Sequence, residues 1–247
     1  MRINPDKNPW YVIGFAAIVS GLFTMAIMAL HVASEPIVQA NQRLLTERAI
    51  VELFGLDEGR ELTDAEVTGL IDARVAGLGE PISLETDGES VRILIAYESQ
   101  KPAEIDPLDK TGVLAYAFPI RGVGFWAMID GWLAVTPNGT RAVGVVFLSH
   151  QETPGLGGRI TEKAFRSQFK GLTVTPPPPG MQYVYIGRTA PEPASPQAAR
   201  HVDAITGATG TSTAVETFVN DDLARFRRIA TAAGLLEDNA ATDAPQR

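Results

Sequence analysis

Between Tyr11 and Leu30 the chain runs for twenty residues without a formal charge. At about 1.5 Å per residue, a helix of that length matches a hydrocarbon core of about 30 Å. Trp10 and Tyr11 stand at one edge, where amphipathic rings suit a membrane interface. Arg2 and Lys7 precede the run, with Asp6 between them, and favour a cytoplasmic N-terminus. A cleaved signal peptide is the alternative. The length of the run and the poor small-x-small pattern around His31-Val32-Ala33 speak against it. The expected organisation is a cytoplasmic segment 1–9, a transmembrane helix 10–32, a helical stalk and accessory region 33–80, a folded domain 81–236 and a flexible tail 237–247. Residues 34–247 then lie on the outer side of the membrane.

A chain of 247 residues allows one core of ordinary size with accessory segments. A formal net charge of -8 argues against a general nucleic-acid binder, which needs many Lys and Arg contacts to phosphates. The absence of cysteine excludes disulfides, thiolate catalysis and Cys-ligated iron–sulfur centres. Three scattered histidines do not make a zinc site, and no metal is expected.

Residues 36–54 carry Ile37, Leu44, Leu45, Ile50, Val51 and Phe54 among polar residues, an amphipathic helix ended by Gly55. Thr63 and Glu66 have capping-box spacing, and Val67, Leu70, Ile71 and Val75 form the face of a short helix. Strands then dominate. Ile82–Thr86 and Val91–Tyr97 flank the turn Asp87-Gly88-Glu89, and Val113–Phe118 is a further strand. Trp132–Thr136 and Ala142–Leu148 flank Pro-Asn-Gly-Thr, whose Asn138-Gly139 is formally a glycosylation sequon but reads as a turn. Thr161–Phe169 reads as a short helix, prolines 176–179 as an extended connection, Met181–Ile186 as a strand, and the last helix reaches about Leu236. Hairpins interrupted by short helices predict an α+β fold: an antiparallel sheet with flanking helices, preceded by one N-terminal transmembrane helix.

Two loops carry the chemistry. The first is Asp203-Ala-Ile-Thr-Gly-Ala-Thr-Gly-Thr-Ser212, followed by helical spacing at Val215, Phe218, Val219, Leu223 and Phe226. Thr213 with Glu216 reads as its capping box, with the helix beginning at Ala214. Such a loop before a helix start suits either a phosphate or an ordinary turn and cap, and it lacks the Lys and spacing of a P-loop. The second loop, His-Gln-Glu-Thr-Pro-Gly-Leu-Gly-Gly at 150–158, follows a strand. It is either a structural turn or a loop that approaches a planar ligand closely, with Glu152 and Thr153 as polar contacts. Without a nucleophile beside it, His150 reads as a hydrogen-bonded structural or pocket-edge residue rather than a proton-transfer group. Asp203 reads as a carboxylate that orients the loop.

Thr206-Gly207-Ala208-Thr209, preceded by Asp203, resembles the flavinylation motif of the FMN-binding domain family. That family includes the C subunit of the sodium-pumping NADH:quinone reductase and the G subunit of the Rnf complex. Glu152-Thr-Pro-Gly-Leu-Gly157 resembles its second signature, in the right order and about 50 residues upstream. Phe118-Pro-Ile-Arg-Gly-Val-Gly-Phe-Trp126 is similar to the C subunit more than to the shorter G subunit. The resemblance covers roughly residues 90–230. It departs from the family at Gly210, a position often apolar in relatives.

The resemblance implies FMN attached by a phosphoester to the hydroxyl of Thr209, made by a separate flavin transferase whose chemistry requires magnesium. It places Glu152, Thr153, Gly155, Leu156, Gly157, Thr206, Gly207, Ala208 and Ser212 around the cofactor. Trp126 or Phe125 either faces the flavin or fills the core, and Arg121 reads as solvated surface rather than a phosphate ligand. The implied role is electron relay within a bacterial inner-membrane complex, with the domain on the periplasmic side and other membrane subunits as partners. No residue of the chain is then catalytic by itself. An Rnf-type or other membrane electron-transfer assembly is the alternative, and a noncatalytic extracytoplasmic scaffold is a different one.

Overall fold

The computed structural model of the chain describes residues 9–237. Arg2, Asp6 and Lys7, on which the orientation reading rests, lie outside the described residues, as does the tail beyond Glu237. Contacts divide the chain into one unit ending at Leu45 and a second beginning at Thr46.

Helix α1 spans Pro9–Phe54. The expected membrane helix and the helix over 36–54 are one element, with Pro36 inside it. Among the described residues it is the one helix long and apolar enough to cross a membrane. In the first unit Phe15, Leu22, Phe23 and Leu30 are exposed. A stretch so apolar and so exposed calls for apolar surroundings. In the second unit the last turns of α1 are core: Ile50, Val51, Leu53 and Phe54 are buried, and Thr68 donates to buried Glu47 at 2.8 Å. Gly55, with φ of 68°, ends the helix as expected.

Helix α2, Asp64–Arg74, opens with the capping box read from the sequence. Its carboxylate partner Glu66 accepts from the backbone N–H and hydroxyl of Thr63, both at 2.8 Å. Val75, expected on the helix face, instead pairs with Ala96 as the start of a two-residue strand, β1 (Val75–Ala76). A buried β-branched side chain fits that edge as well as it fits a helix.

Strands β2 (Ile82–Thr86) and β3 (Glu89–Tyr97) form the expected hairpin, with Asp87 and Gly88 both at positive φ. That is the backbone a two-residue hairpin turn demands. Strand β4 (Val113–Val123) runs further than expected, through Pro119, because the segment after Phe118 pairs with β5 (Met128–Val135) as far as Val123↔Met128. Strand β6 (Ala142–Ser149) completes the antiparallel order β1-β3-β4-β5-β6, with β2 on β3 beside β1.

After β6 the chain is more broken than expected. A 3-10 turn over Gly157–Thr161, the short helix α3 (Lys163–Arg166) and another turn over Ser167–Phe169 replace one helix. Phe165 and Phe169 still reach the core, edge to face at 5.6 Å. The strand expected over 181–186 is shorter, β7 (Tyr185–Gly187). It pairs in parallel with β8 (His201–Asp203), a strand that no sequence pattern announces.

Helix α4 (Thr209–Ala232) lies across β4. Phe118 and Phe226 stack with ring centroids 4.1 Å apart, and Val215, Val219, Leu223 and Ile229 are fully buried. Asp222 accepts the backbone N–H of Arg121 at 2.7 Å, and burial pushes its carboxyl up. The α+β architecture with an antiparallel sheet and flanking helices is as expected.

The capping box yields a pH prediction. Hydrogen bonds from the Thr63 backbone, then its hydroxyl, then Arg60 lower Glu66 from 4.5 to about 2. A carboxyl lowered on folding stabilises above its unfolded value and loses that contribution as pH falls through the folded one. The stability gap between the wild-type chain and Glu66→Gln, measured by urea unfolding in detergent, should be full at pH 6 and shrink between pH 4.5 and about 2. A gap independent of pH would refute this.

Candidate functional site

The β4–β5 connection is a tight turn, closed by Gly124 N–H donating to Ala127 C=O at 2.8 Å. It leaves Phe125 and Trp126 pointing out, 62% and 66% exposed, in an edge-to-face pair. Neither aromatic fills the core. Large rings held so far into solvent form the wall of a cleft.

The loop after β6 turns back under that wall. The N–H of Glu152 donates to His150 Nδ1 at 3.2 Å, so His150 is a structural acceptor. The Glu152 side chain enters the protein and is 4% exposed. One oxygen accepts the Trp126 N–H at 3.0 Å, and the other accepts the Thr211 hydroxyl at 2.5 Å. A buried carboxylate needs such partners. Small residues make room for it: a Cβ on Gly124 would stand 2.5 Å from one oxygen, and a Cβ on Gly157 2.6 Å from the other. Thr153 adds a second tie, accepting from the Trp126 indole N–H at 3.0 Å.

The third wall is the start of α4. Residues Ile205–Ala208 form a turn with Gly207 at φ of 83°, and the helix begins at Thr209. The expected capping box at Thr213 and Glu216 is absent. Glu216 instead accepts the Ile186 N–H at 2.8 Å, tying α4 to β7. Ala208 occupies the cap position and offers no side-chain hydrogen bond to the opening amides. Two hydroxyls of its first turn are engaged by neighbouring segments. Thr211 donates to Glu152, and Ser212 accepts the Ile205 N–H at 3.1 Å. Gly210 also has a positive reason to be small: a Cβ there would stand 2.6 Å from the Phe125 ring.

These three segments enclose an open cleft of about 210 Å³ lined by Phe125, Trp126, Glu152, Thr153, Leu156, Gly157 and residues 207–211. The structure therefore brings together Trp126, Glu152, Thr153, Leu156, Gly157, Gly207, Ala208 and Thr209. Three expected residues do not line it. Gly155 supplies a turn at φ of 76°, Thr206 is exposed beside the cleft, and Ser212 is buried beneath it. Asp203 does not orient the loop with its carboxylate, which lies 3.3 Å from His201 Nε2; its backbone N–H donates to Gln168 instead. Arg121, on the surface as expected, pairs with Asp130 at 2.8 Å.

One residue at the site was missed. Arg188, just past β7, donates from Nη2 to the Thr209 hydroxyl oxygen. No local motif marks it, because the parallel pairing of β7 with β8 is what carries it there.

The donor set suits a phosphate beside a planar ring. It offers a cation on a hydroxyl, the uncapped start of a long helix and an adjacent aromatic wall.

Residues 124–224 match the FMN-binding domain family. The chain is 25% identical over 234 residues to the C subunit of the Na(+)-translocating NADH-quinone reductase of Pseudomonas aeruginosa, covering 83% of this chain and 87% of that one. To the corresponding protein of Pasteurella multocida it is 32% identical over 134 residues, spanning 48% of that relative. In fold it is similar to the crystal structure of Shewanella oneidensis NqrC, with a TM-score of 0.60, 19% identity and coverage of 79% of this chain and 99% of that chain. The crystal structure of the C subunit from Parabacteroides distasonis gives a TM-score of 0.50 at 20% identity, covering 78% and 96%.

The geometry predicts unequal effects at position 152. Glu152→Ala leaves the buried Thr211 hydroxyl and the part-buried Trp126 N–H without their acceptor and should cost about 1–3 kcal/mol in urea unfolding. Glu152→Gln should lose less, because one oxygen remains and the Thr211 hydroxyl can turn to accept. Equal losses for the two variants would mean the hydrogen bonds are not what holds the loop.

Proposed function

We propose, for a chain whose FMN-binding domain resembles that of the NADH-quinone reductase C subunits, that it is a membrane-anchored electron-relay protein bearing FMN on Thr209. The observation behind this is the selection among hydroxyls at the cleft. Thr211 and Ser212 are 3% and 1% exposed and already hydrogen-bonded. Thr206 is exposed but lies outside the lining. Thr209 alone of the four is exposed, lines the cleft and faces a guanidinium.

Bound FMN supplies redox chemistry that no side chain here offers, taking up and releasing electrons singly or in pairs. The residues of the chain bind and position it. The opening amides of α4 and the guanidinium of Arg188 would hold the phosphate, with Phe125 and Trp126 beside it. Glu152 holds the two loops in register. The role is relay rather than independent substrate turnover, so donor and acceptor belong to other membrane subunits of a redox complex. A flavin transferase makes the link once, during maturation. The apolar part of α1 anchors the chain in a bacterial inner membrane, and Arg2 and Lys7 favour a periplasmic domain.

The test is intact mass and visible absorbance of the denatured full chain after coexpression with a flavin transferase. One FMN phosphoester is expected on Thr209, and Thr209→Ala should abolish it. Flavin retained by that variant on Thr211 or Ser212 would move the site. A chain that takes no flavin would end the reading.

A further inference from the structure

Arg188 is exposed, and its backbone is nonetheless fixed. Gly187 pairs with Asp203 in the β7–β8 register, and its carbonyl accepts the Ala204 N–H at 2.9 Å. The same register that leads β8 into the loop before α4 therefore sets Arg188 beside Thr209. One guanidinium nitrogen donates to the Thr209 hydroxyl oxygen. The guanidinium has five N–H donors in a rigid fork, and one such contact leaves the rest of the fork for other acceptors.

We propose that Arg188 is the charge partner of the phosphoryl group carried by Thr209, an inference that rests on the attachment reading above. In the unloaded chain the guanidinium holds the acceptor oxygen in place. In the loaded chain phosphorus would be one bond beyond that atom and its other oxygens two, within reach of the same fork. Attachment requires a flavin donor activated as a phosphoanhydride and held by the transferase. The Thr209 Oγ–P bond forms, and the P–O bond to the leaving phosphate group breaks. The leaving group takes the electron pair, and the hydroxyl proton passes to a base of the transferase or to water. Negative charge on the oxygens about phosphorus is greatest as these bonds exchange, and Arg188 is the side chain of this chain placed to meet it. Its role is positioning and charge, since the bond-making atom is Thr209 Oγ.

The test is a time course of flavin loading on the full chain in detergent, with purified transferase and its flavin donor, read by intact mass. Wild type, Arg188→Gln, Arg188→Lys and Thr209→Ala are compared, with a loadable C subunit from a relative as positive control. Losing a charge-assisted contact should slow Arg188→Gln by about ten- to a hundredfold. Arg188→Lys, which keeps charge but not the fork, should fall between wild type and Arg188→Gln. Thermal unfolding of the unloaded variants should match wild type. Gln loading at the wild-type rate would overturn the assignment, and so would Lys loading as slowly as Gln. If the positive control loads and the wild-type chain does not, the attachment reading itself falls and this inference falls with it.

Discussion

A single buried carboxylate holds the site together. Glu152 reaches two segments far from it in sequence, accepting from the Trp126 backbone and from the Thr211 hydroxyl. Its own backbone is anchored on His150. Inside a protein such hydrogen bonds are strong, and an orphaned partner is correspondingly costly. The other features follow from that arrangement. Gly124 and Gly157 are bare because the carboxylate occupies the space where their Cβ atoms would be. Phe125 and Trp126 stand out from the surface because the turn that carries them is held from beneath. The start of α4 is pinned at Thr211, and this fixes where Thr209 lies.

The same network sorts chemically similar hydroxyls into different roles. A stretch with Thr206, Thr209, Thr211, Ser212 and Thr213 offers five candidates for one modification. Thr211 and Ser212 are buried and already hydrogen-bonded. Thr213 lies a turn into α4 and does not line the cleft. What distinguishes Thr209 is accessibility at the helix start together with the arginine opposite. In the proposed attachment, selectivity would be a property of packing rather than of intrinsic reactivity, because every one of these side chains is an ordinary alcohol.

That distinction also explains what could be read without a structure. Short-range chemistry was legible: the Thr63–Glu66 capping box, the Asp87-Gly88 turn, the Asn138-Gly139 turn and the break at Gly55 all depend on residues a few positions apart. The two loops that form the cleft were legible through motif resemblance. Their meeting depends on Glu152, whose partners lie 26 and 59 positions away. The capping box at Thr213 and Glu216 was misread for the same reason. Its spacing is right, but Glu216 is taken by β7 and the helix begins earlier. Arg188 gave no signal at all, since an isolated arginine after a short strand is unremarkable until β7 and β8 pair in parallel. Phe125 and Trp126 left core and ligand readings open, because hydrophobicity alone cannot tell a buried ring from one held at a cleft.

The size of the cleft constrains how the proposed cofactor could work. Sites that enclose a ligand of this class commonly measure about 300–1,000 Å³, whereas this one is about 210 Å³ and open. A volume that small encloses only part of a flavin, and Phe125, Trp126 and Leu156 stand among the residues that line it. Those three apolar side chains are themselves exposed, so the cleft passes directly into an apolar rim. A buried flavin would be protected but remote from its partners. A tethered and partly exposed one could meet a donor or acceptor along its free edge, and the proposed phosphoester would keep it from dissociating where the pocket is too shallow to retain it by contact alone. On this reading a covalent bond and a shallow cleft are one solution, since the bond supplies the retention that deeper burial would otherwise have to provide.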